Sequence, residues 1–197
     1  SVSMTANAAV GTSSAAANGG AVYNNGTLTL SDVTNPASMT DNYASSSSQN
    51  AYGGAIYNVN GGSVNINGAA TLDNNSATTT GSGKKGYGGA IYNEGIVEMV
   101  NGKIGSKNAN RATSAGGAVY QNGTFKIKGD TNIKNGSATS NDVYVVTSND
   151  KKVIMTGSLS TNGNSSSNKM TITPDLIKRG KTVISSYNYT LSDTTDF

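Results

Sequence analysis

Gly53-Gly54-Ala55-Ile56-Tyr57 decides the fold, because the chain repeats it. The pattern also stands as Gly19-Gly20-Ala21-Val22-Tyr23, as Gly88-Gly89-Ala90-Ile91-Tyr92 and as Gly116-Gly117-Ala118-Val119-Tyr120. The copies begin 34, 35 and 28 residues apart, and a degraded fifth, Asn141-Asp142-Val143-Tyr144, follows 25 residues after Gly116. Periods of this length mark solenoids, propellers and arrays.

Two further elements follow each copy. The first is a short alternating run: Leu28 and Leu30, then Val64 and Ile66, Val97 and Met99, Phe125 and Ile127, Val153 and Met155. Apolar residues two apart put one face of a strand inward. The second reads Met4-x-x-Asn7-x-Ala9, Met39-x-x-Asn42-x-Ala44 and Leu72-x-x-Asn75-x-Ala77, with looser copies at Ile104 with Asn108 and at Ile133 with Gly136 and Ala138.

Each repeat therefore holds three short strands and three turns. Helix is disfavoured because Gly, Asn, Ser and Thr recur every few residues and no 3.6-residue apolar stripe forms. A propeller blade would need four strands and about 40 residues. An antiparallel meander would not repeat three distinct strand types in fixed order. The pattern predicts an all-β fold, a single parallel β-helix with three short strands per coil and five to six coils. Each strand pairs with its equivalent about 4.8 Å along the axis. Parallel crossovers are right-handed as a rule. The unequal spacings read as loop insertions before the next glycine pair, at residues 45–48 and 78–85.

Composition agrees. Asn, Ser, Gly and Thr supply 100 of the 197 residues, while Val, Ile, Leu and Phe supply only 33. Such scarcity suits either a disordered chain or a repetitive structure with a narrow core, and a net charge of only +3 argues against disorder. The chain has no Cys and no His. That excludes disulfides, thiol nucleophiles, zinc–thiolate sites and a Ser-His-Asp triad. No apolar run approaches the roughly 18 residues of a membrane span, so membrane insertion of this segment is not expected.

The repeated Gly-Gly-Ala-Ile/Val-Tyr, followed by an apolar-x-x-Asn, resembles the polymorphic outer-membrane-protein repeat, whose signatures are GGA(I/L/V) and FxxN. It is also similar to the repeats of bacterial and archaeal adhesin-like surface proteins. The resemblance covers about residues 1–146, with Met, Leu or Ile in place of the Phe. It implies a right-handed parallel β-helix projecting from a cell surface, with an extracellular or secreted location.

Ladder logic assigns roles. Val22, Ile56, Ile91 and Val119 are expected to stack inward, as are Leu28, Val64, Val97, Phe125 and Val153, and Met39, Leu72, Ile104 and Ile133. Asn7, Asn42, Asn75 and Asn108 read as a corner ladder bonded rung to rung, in the left-handed conformation that Asn tolerates. The paired glycines serve the backbone, through positive φ or close approach. Gly81-Ser82-Gly83-Lys84-Lys85-Gly86 faintly resembles a phosphate loop but lacks the full spacing, and is read as a flexible loop. By alternation Tyr23, Tyr57, Tyr92, Tyr120 and Tyr144 point outward as the candidate ligand-binding face, extended by Tyr52 and Tyr87. Such a column either stacks on sugar rings or a partner, or packs on itself.

Charge is uneven: residues 1–99 carry net −3, residues 100–181 net +8 and residues 182–197 net −2. Lys126 and Lys128 are the candidate basic patch, with Glu98 one rung before Lys126 in the same column as its compensating partner. The patch is either a solubility device or an attractor of anionic polymers. The basic residues are dispersed and no nucleic-acid motif appears, so nucleic acid is not an expected partner.

Residues 1–156 are read as the repeat region and residues 157–197 as atypical final coils with a C-terminal cap, in which residues 169–173, 181–186 and 189–192 read as strands. Tyr187, Tyr189 and Phe197 add aromatic weight there. Met4-x-x-Asn7 is already a third-strand copy. The expectation is a chain that starts mid-coil, as a mature protein or a piece of a longer one, or with an edge that pairs with another molecule.

The functional expectation is a non-enzymatic scaffold, an adhesin-like module binding polysaccharide or a host or matrix surface, with no cofactor, no metal and no catalytic residues. The alternative is a carbohydrate-active enzyme of the pectin-lyase-like class. That would need acids clustered on one face as an acid/base pair or as Ca²⁺ ligands. The nine Asp and two Glu are instead spread along the chain. An ice-binding ladder would need regular Thr-x-Thr repeats, and Thr27-x-Thr29 is not repeated at Ser63, Ile96 or Lys152.

Overall fold

Every Ala-Ile/Val-Tyr run after a glycine pair becomes a strand that pairs in parallel with its own repeat. The computed structural model describes residues 2–31, 34, 36–133, 142–159 and 170–186. Over these the chain is an all-β parallel solenoid of about five turns, and the only helical turn among the described residues is Thr147–Asn149.

The three predicted ladders are present. The first stacks Val22–Asn24, Ile56–Asn58, Ile91–Asn93, Val119–Gln121, Val143–Val145 and Ile172–Pro174. The second stacks Thr27–Leu30, Ser63–Asn67, Ile96–Val100, Thr124–Gly129, Val153–Leu159 and Ile184–Ser186. The third stacks Ser3–Thr5, Ser38–Thr40, Thr71–Asp73, Lys103–Ile104 and Asn132–Ile133. Registers keep like with like: Ile56 lies between Val22 and Ile91, Val97 between Val64 and Phe125, and Leu72 between Met39 and Ile104. All of these except Val22 are fully buried. Val22, Leu28 and Met4, on the first turn, are only partly covered.

The structure adds two ladders. A fourth stacks Ala8–Gly11, Tyr43–Ser46, Ser76–Thr79 and Arg111–Ala112, and a fifth stacks Ala17–Asn18, Ala51–Tyr52 and Gly86–Tyr87. Residues 45–46 and 78–79, expected in loops, are therefore paired strand. Their inward positions are only alanine and serine, as at Ala44, Ser46 and Ala77, so no large apolar alternation announces them. The segment 81–86 turns at Gly81, where the Lys84 amide donates to the glycine carbonyl, and then enters the fifth ladder at Gly86. The expected strand at residues 189–192, the residues Gly136, Ala138, Asn141, Tyr187, Tyr189 and Phe197, and most of the proposed cap lie outside the described residues.

Both expected uses of glycine occur, one at each position of the pair. The first has positive φ: 63° at Gly19, 62° at Gly53, 66° at Gly88 and 66° at Gly116. The second meets backbone across the interior. A Cβ on Gly20 would lie 2.5 Å from the Tyr43 carbonyl oxygen, one on Gly54 2.5 Å from the Ser76 nitrogen, and one on Gly89 2.5 Å from the Arg111 nitrogen. Tyr43, Ser76 and Arg111 each open a strand of the fourth ladder. The coils at these three glycine pairs are thus waisted. A large apolar core fills the lobe of the first three ladders, and a small one of Ala17, Ala44, Ala51 and Ala77 fills the lobe of the other two.

Two amide ladders run along the axis, buried at every member but Asn7. In the expected one, Asn7 Nδ2 donates to Asn42 Oδ1 at 2.9 Å, Asn42 to Asn75 at 2.9 Å and Asn75 to Asn110 at 3.0 Å. The fourth member is Asn110 rather than Asn108, because this turn inserts extra residues after Ile104 before the strand resumes at Arg111. The left-handed residues are not the ladder asparagines but their predecessors Ala6, Asp41 and Asn74. The amide turns inward only after the corner residue has reversed the chain. The second ladder follows the tyrosines: Asn24 donates to Asn58 at 2.7 Å, Asn58 to Asn93 at 2.8 Å and Asn93 to Gln121 at 2.7 Å.

Candidate ligand-binding face

The waist turns the outer faces of the strands on either side of it toward each other. Tyr52 and Tyr87 precede a glycine pair on the fifth ladder. On the first ladder Tyr23, Tyr57, Tyr92 and Tyr120 follow one, and Tyr144 holds the equivalent place in the degraded fifth copy. The seven rings form one network with centroid separations from 4.7 to 6.4 Å. Within the column, Tyr92 stacks on Tyr120 at 5.1 Å and 8°, and Tyr120 on Tyr144 at 5.3 Å and 14°. Tyr52 meets Tyr57 at 5.9 Å and Tyr92 at 4.8 Å.

The column points outward but is not uniformly exposed. Tyr92 keeps 9 % of its surface and Tyr23 keeps 58 %. Tyr23 stands apart because Asn18, not a tyrosine, pairs with Tyr52 in the first turn. The rings thus pack on one another as well as facing out.

Two of their hydroxyls converge on one carboxylate. Tyr57 donates to Glu94 Oε2 at 3.0 Å and Tyr92 donates to Glu94 Oε1 at 3.3 Å. Burial, then the charge of Glu94, pushes both phenols well above the usual tyrosine range. Burial pushes Tyr120 up to about 12, with Tyr87, Tyr144 and Asp175 adding to the effect. Tyr87 and Tyr144 are raised too, again chiefly by burial. All five are neutral hydrogen-bond donors near neutral pH.

Beside the rings, at the corner between the first and second ladders, lies an open groove of about 400 Å³ lined by Asn60, Glu94, Asn122, Asn149 and Lys151. The amide of Asn149 donates to Asn122 Oδ1 at 3.0 Å. Glu94 belongs to both features. It was not a sequence candidate, because it occurs in one repeat only. The second amide ladder did carry a sequence signal, the Asn24, Asn58, Asn93 and Gln121 that follow each tyrosine.

The basic patch sits elsewhere, on the outer face of the second ladder. Glu98 is in register with Lys126, but the ion pair goes diagonally to Lys128 at 3.9 Å. A long lysine stem reaches across that diagonal. Both partners are substantially exposed, so the pair adds little stability.

Asp73, Asp142, Asp150 and Asp175 are each engaged separately. Asp73 accepts from the Ser106 hydroxyl and the Lys107 amide, Asp142 from the Gly117 amide, and Asp175 from Thr147 and Ser148. Asp150 is paired with Lys181. Among the described residues no three Asp or Glu side chains gather in a group that would hold a metal ion, and no helix is long and apolar enough to cross a membrane. Compared with known proteins, the chain matches no family model, no curated protein and no solved structure.

Proposed function

We propose that the chain is a non-enzymatic extracellular or cell-surface scaffold, an adhesin-like module that binds a glycan or a host or matrix surface through its tyrosine face. The observation that carries this reading is the unbroken network of seven rings along the axis, beside a polar groove. Amphipathic rings supply contact area at low entropic cost and suit a partner with both apolar and hydroxylated surface. The repeated Gly-Gly-Ala-Ile/Val-Tyr motif, with its likeness to surface adhesins, supports the location. Carboxylates engaged one by one support a scaffold over a pectin-lyase-like enzyme, which works through clustered acids.

The test is an array of glycans and matrix proteins probed with the full chain, beside incubation with pectin, alginate and neutral polymers. The expected result is binding that falls when Tyr57→Ala and Tyr120→Ala are combined, without release of reducing ends or unsaturated uronides. Turnover abolished by replacing one Asp or Glu would overturn the reading, and so would an array blank for every class.

A further inference from the structure

Resting on that reading, we infer that the ligand is an uncharged polysaccharide lying along the solenoid axis, with its ring faces on the tyrosines and its hydroxyls held in the adjacent groove by Glu94, Asn122 and Asn149. Three observations carry this. The groove is lined entirely by polar side chains, one acidic, one basic and three amides, so the formal charge of its lining sums to zero and it is not built as a cationic site for a polyanion. Its lining comes from four successive turns: Asn60 after Ile56–Asn58, Glu94 after Ile91–Asn93, Asn122 after Val119–Gln121, and Asn149 after Val143–Val145. It therefore runs parallel to the ring column, with a contact on each turn. Glu94 joins the two strips. A carboxylate has about four acceptor sites, and the phenols of Tyr57 and Tyr92 take two, leaving capacity directed at the groove.

The chemistry follows from the pieces. A pyranose presents an apolar C–H face to an aromatic ring and a rim of hydroxyls at its edge. Contact with the half-buried Tyr57 and Tyr120 fixes the faces, and the rim then falls beside Glu94 and the Asn122–Asn149 pair. Amides both donate and accept, and the carboxylate accepts, which matches vicinal hydroxyls. A uronic-acid polymer would set a row of carboxylates against Glu94 with only Lys151 to offset them, and so gains no net attraction from the groove.

Titration calorimetry on the full chain tests this with two hexasaccharides, a neutral β-linked glucan and an oligogalacturonate. The neutral oligomer is expected to bind at least about tenfold more tightly than the acidic one. It should bind more tightly than its own disaccharide, because a longer chain reaches more turns. Glu94→Ala should weaken neutral binding about tenfold or more, the scale of a hydrogen bond to a charged group, with Glu94→Gln losing less. Circular-dichroism melts report whether each variant is folded. If Glu94→Ala unfolds the chain, Asn122→Ala serves instead, with a loss of about threefold or more expected. Tighter binding of the acidic oligomer, or neutral binding indifferent to Glu94 and Asn122, would overturn the inference. Array binding only to a protein or an anionic glycan would overturn it while leaving the adhesin reading in place. A blank array would remove both.

Discussion

A Cβ on Gly54 would lie 2.5 Å from the backbone nitrogen of Ser76, so the glycine pair and the opening of the fourth ladder touch backbone to backbone. That approach divides the interior into a large and a small lobe. On the outside it brings the strands bearing Tyr52 and Tyr57 close enough for their rings to stack at 5.9 Å. One small residue therefore shapes both the core and the candidate binding face.

Gly54→Ala is accordingly expected to destabilise the chain by roughly 1–3 kcal/mol or more, the range of overpacking against an unyielding wall. Gly26→Ala is the control. Nothing lies within 4 Å of a Cβ there, and the change should be neutral or stabilising by about 0.4–1 kcal/mol. Urea melts of the two variants that superimpose would refute the waist.

The amide ladder should behave as a coupled row. Asn58 donates to Asn93 Oδ1 and to the Gly62 and Ile96 carbonyls, and accepts from Asn24. Asn58→Ala leaves several of these groups unsatisfied inside the protein, and the cost should be at least about 2 kcal/mol. A double-mutant cycle with Asn93→Ala should show coupling of about 0.5–3 kcal/mol. Strict additivity would mean that the row is a line of independent bonds.

The three large ladders were legible in the sequence because their inward residues are bulky and alternate, as Val64 and Ile66 do. The fourth and fifth were not, since Ala44, Ala51 and Ala77 give an inward face without an apolar signal, and the fifth-ladder strands are two residues long. The tyrosine column could be placed outward by alternation from Ile56. Its partial burial could not, because it depends on Tyr52 and Tyr87 arriving from across the waist. Glu94 was invisible for a different reason: it occupies a corner position that Val59 and Asn122 fill on the neighbouring turns, so no repeat marks it.

Alkaline pH should loosen the ring network. Raising a phenol's pKa in the folded state means that folding favours the protonated form. The stabilisation is complete below the ordinary tyrosine value near 10 and is lost as pH climbs through the folded value, about 12 for Tyr120. Near-ultraviolet absorbance should show tyrosinate appearing late across this window, together with loss of β-structure in circular dichroism. Ionisation of all phenols near pH 10 with the fold intact would contradict the packing of the rings.

Phe125 tests whether the turns share their core. It is fully buried between Val97 and Val153, and Phe125→Ala should cost about 3–5 kcal/mol through lost transfer energy and the cavity left behind. Since no turn closes its core alone, the damage should reach its neighbours. Hydrogen exchange should quicken at Val97 and Val153 as well as at residue 125. Exchange that changes on one turn only would show that the turns are energetically separate.

Salt separates the two candidate surfaces. Fields from exposed lysines are screened over about 8 Å at physiological ionic strength, so binding through the second-ladder face should weaken steeply as salt rises. That face is also partly neutralised, because Glu98 pairs with Lys128. Ring stacking and neutral hydrogen bonds change little with salt. The expected outcome is binding that is flat with ionic strength, unaffected by Lys126→Glu with Lys128→Glu, and lost with Tyr57→Ala and Tyr120→Ala. Tyr92 is the wrong probe, since it retains only 9 % exposure and its removal would unsettle both neighbouring rings. Binding lost on lysine reversal and indifferent to the tyrosines would move the site to the basic face.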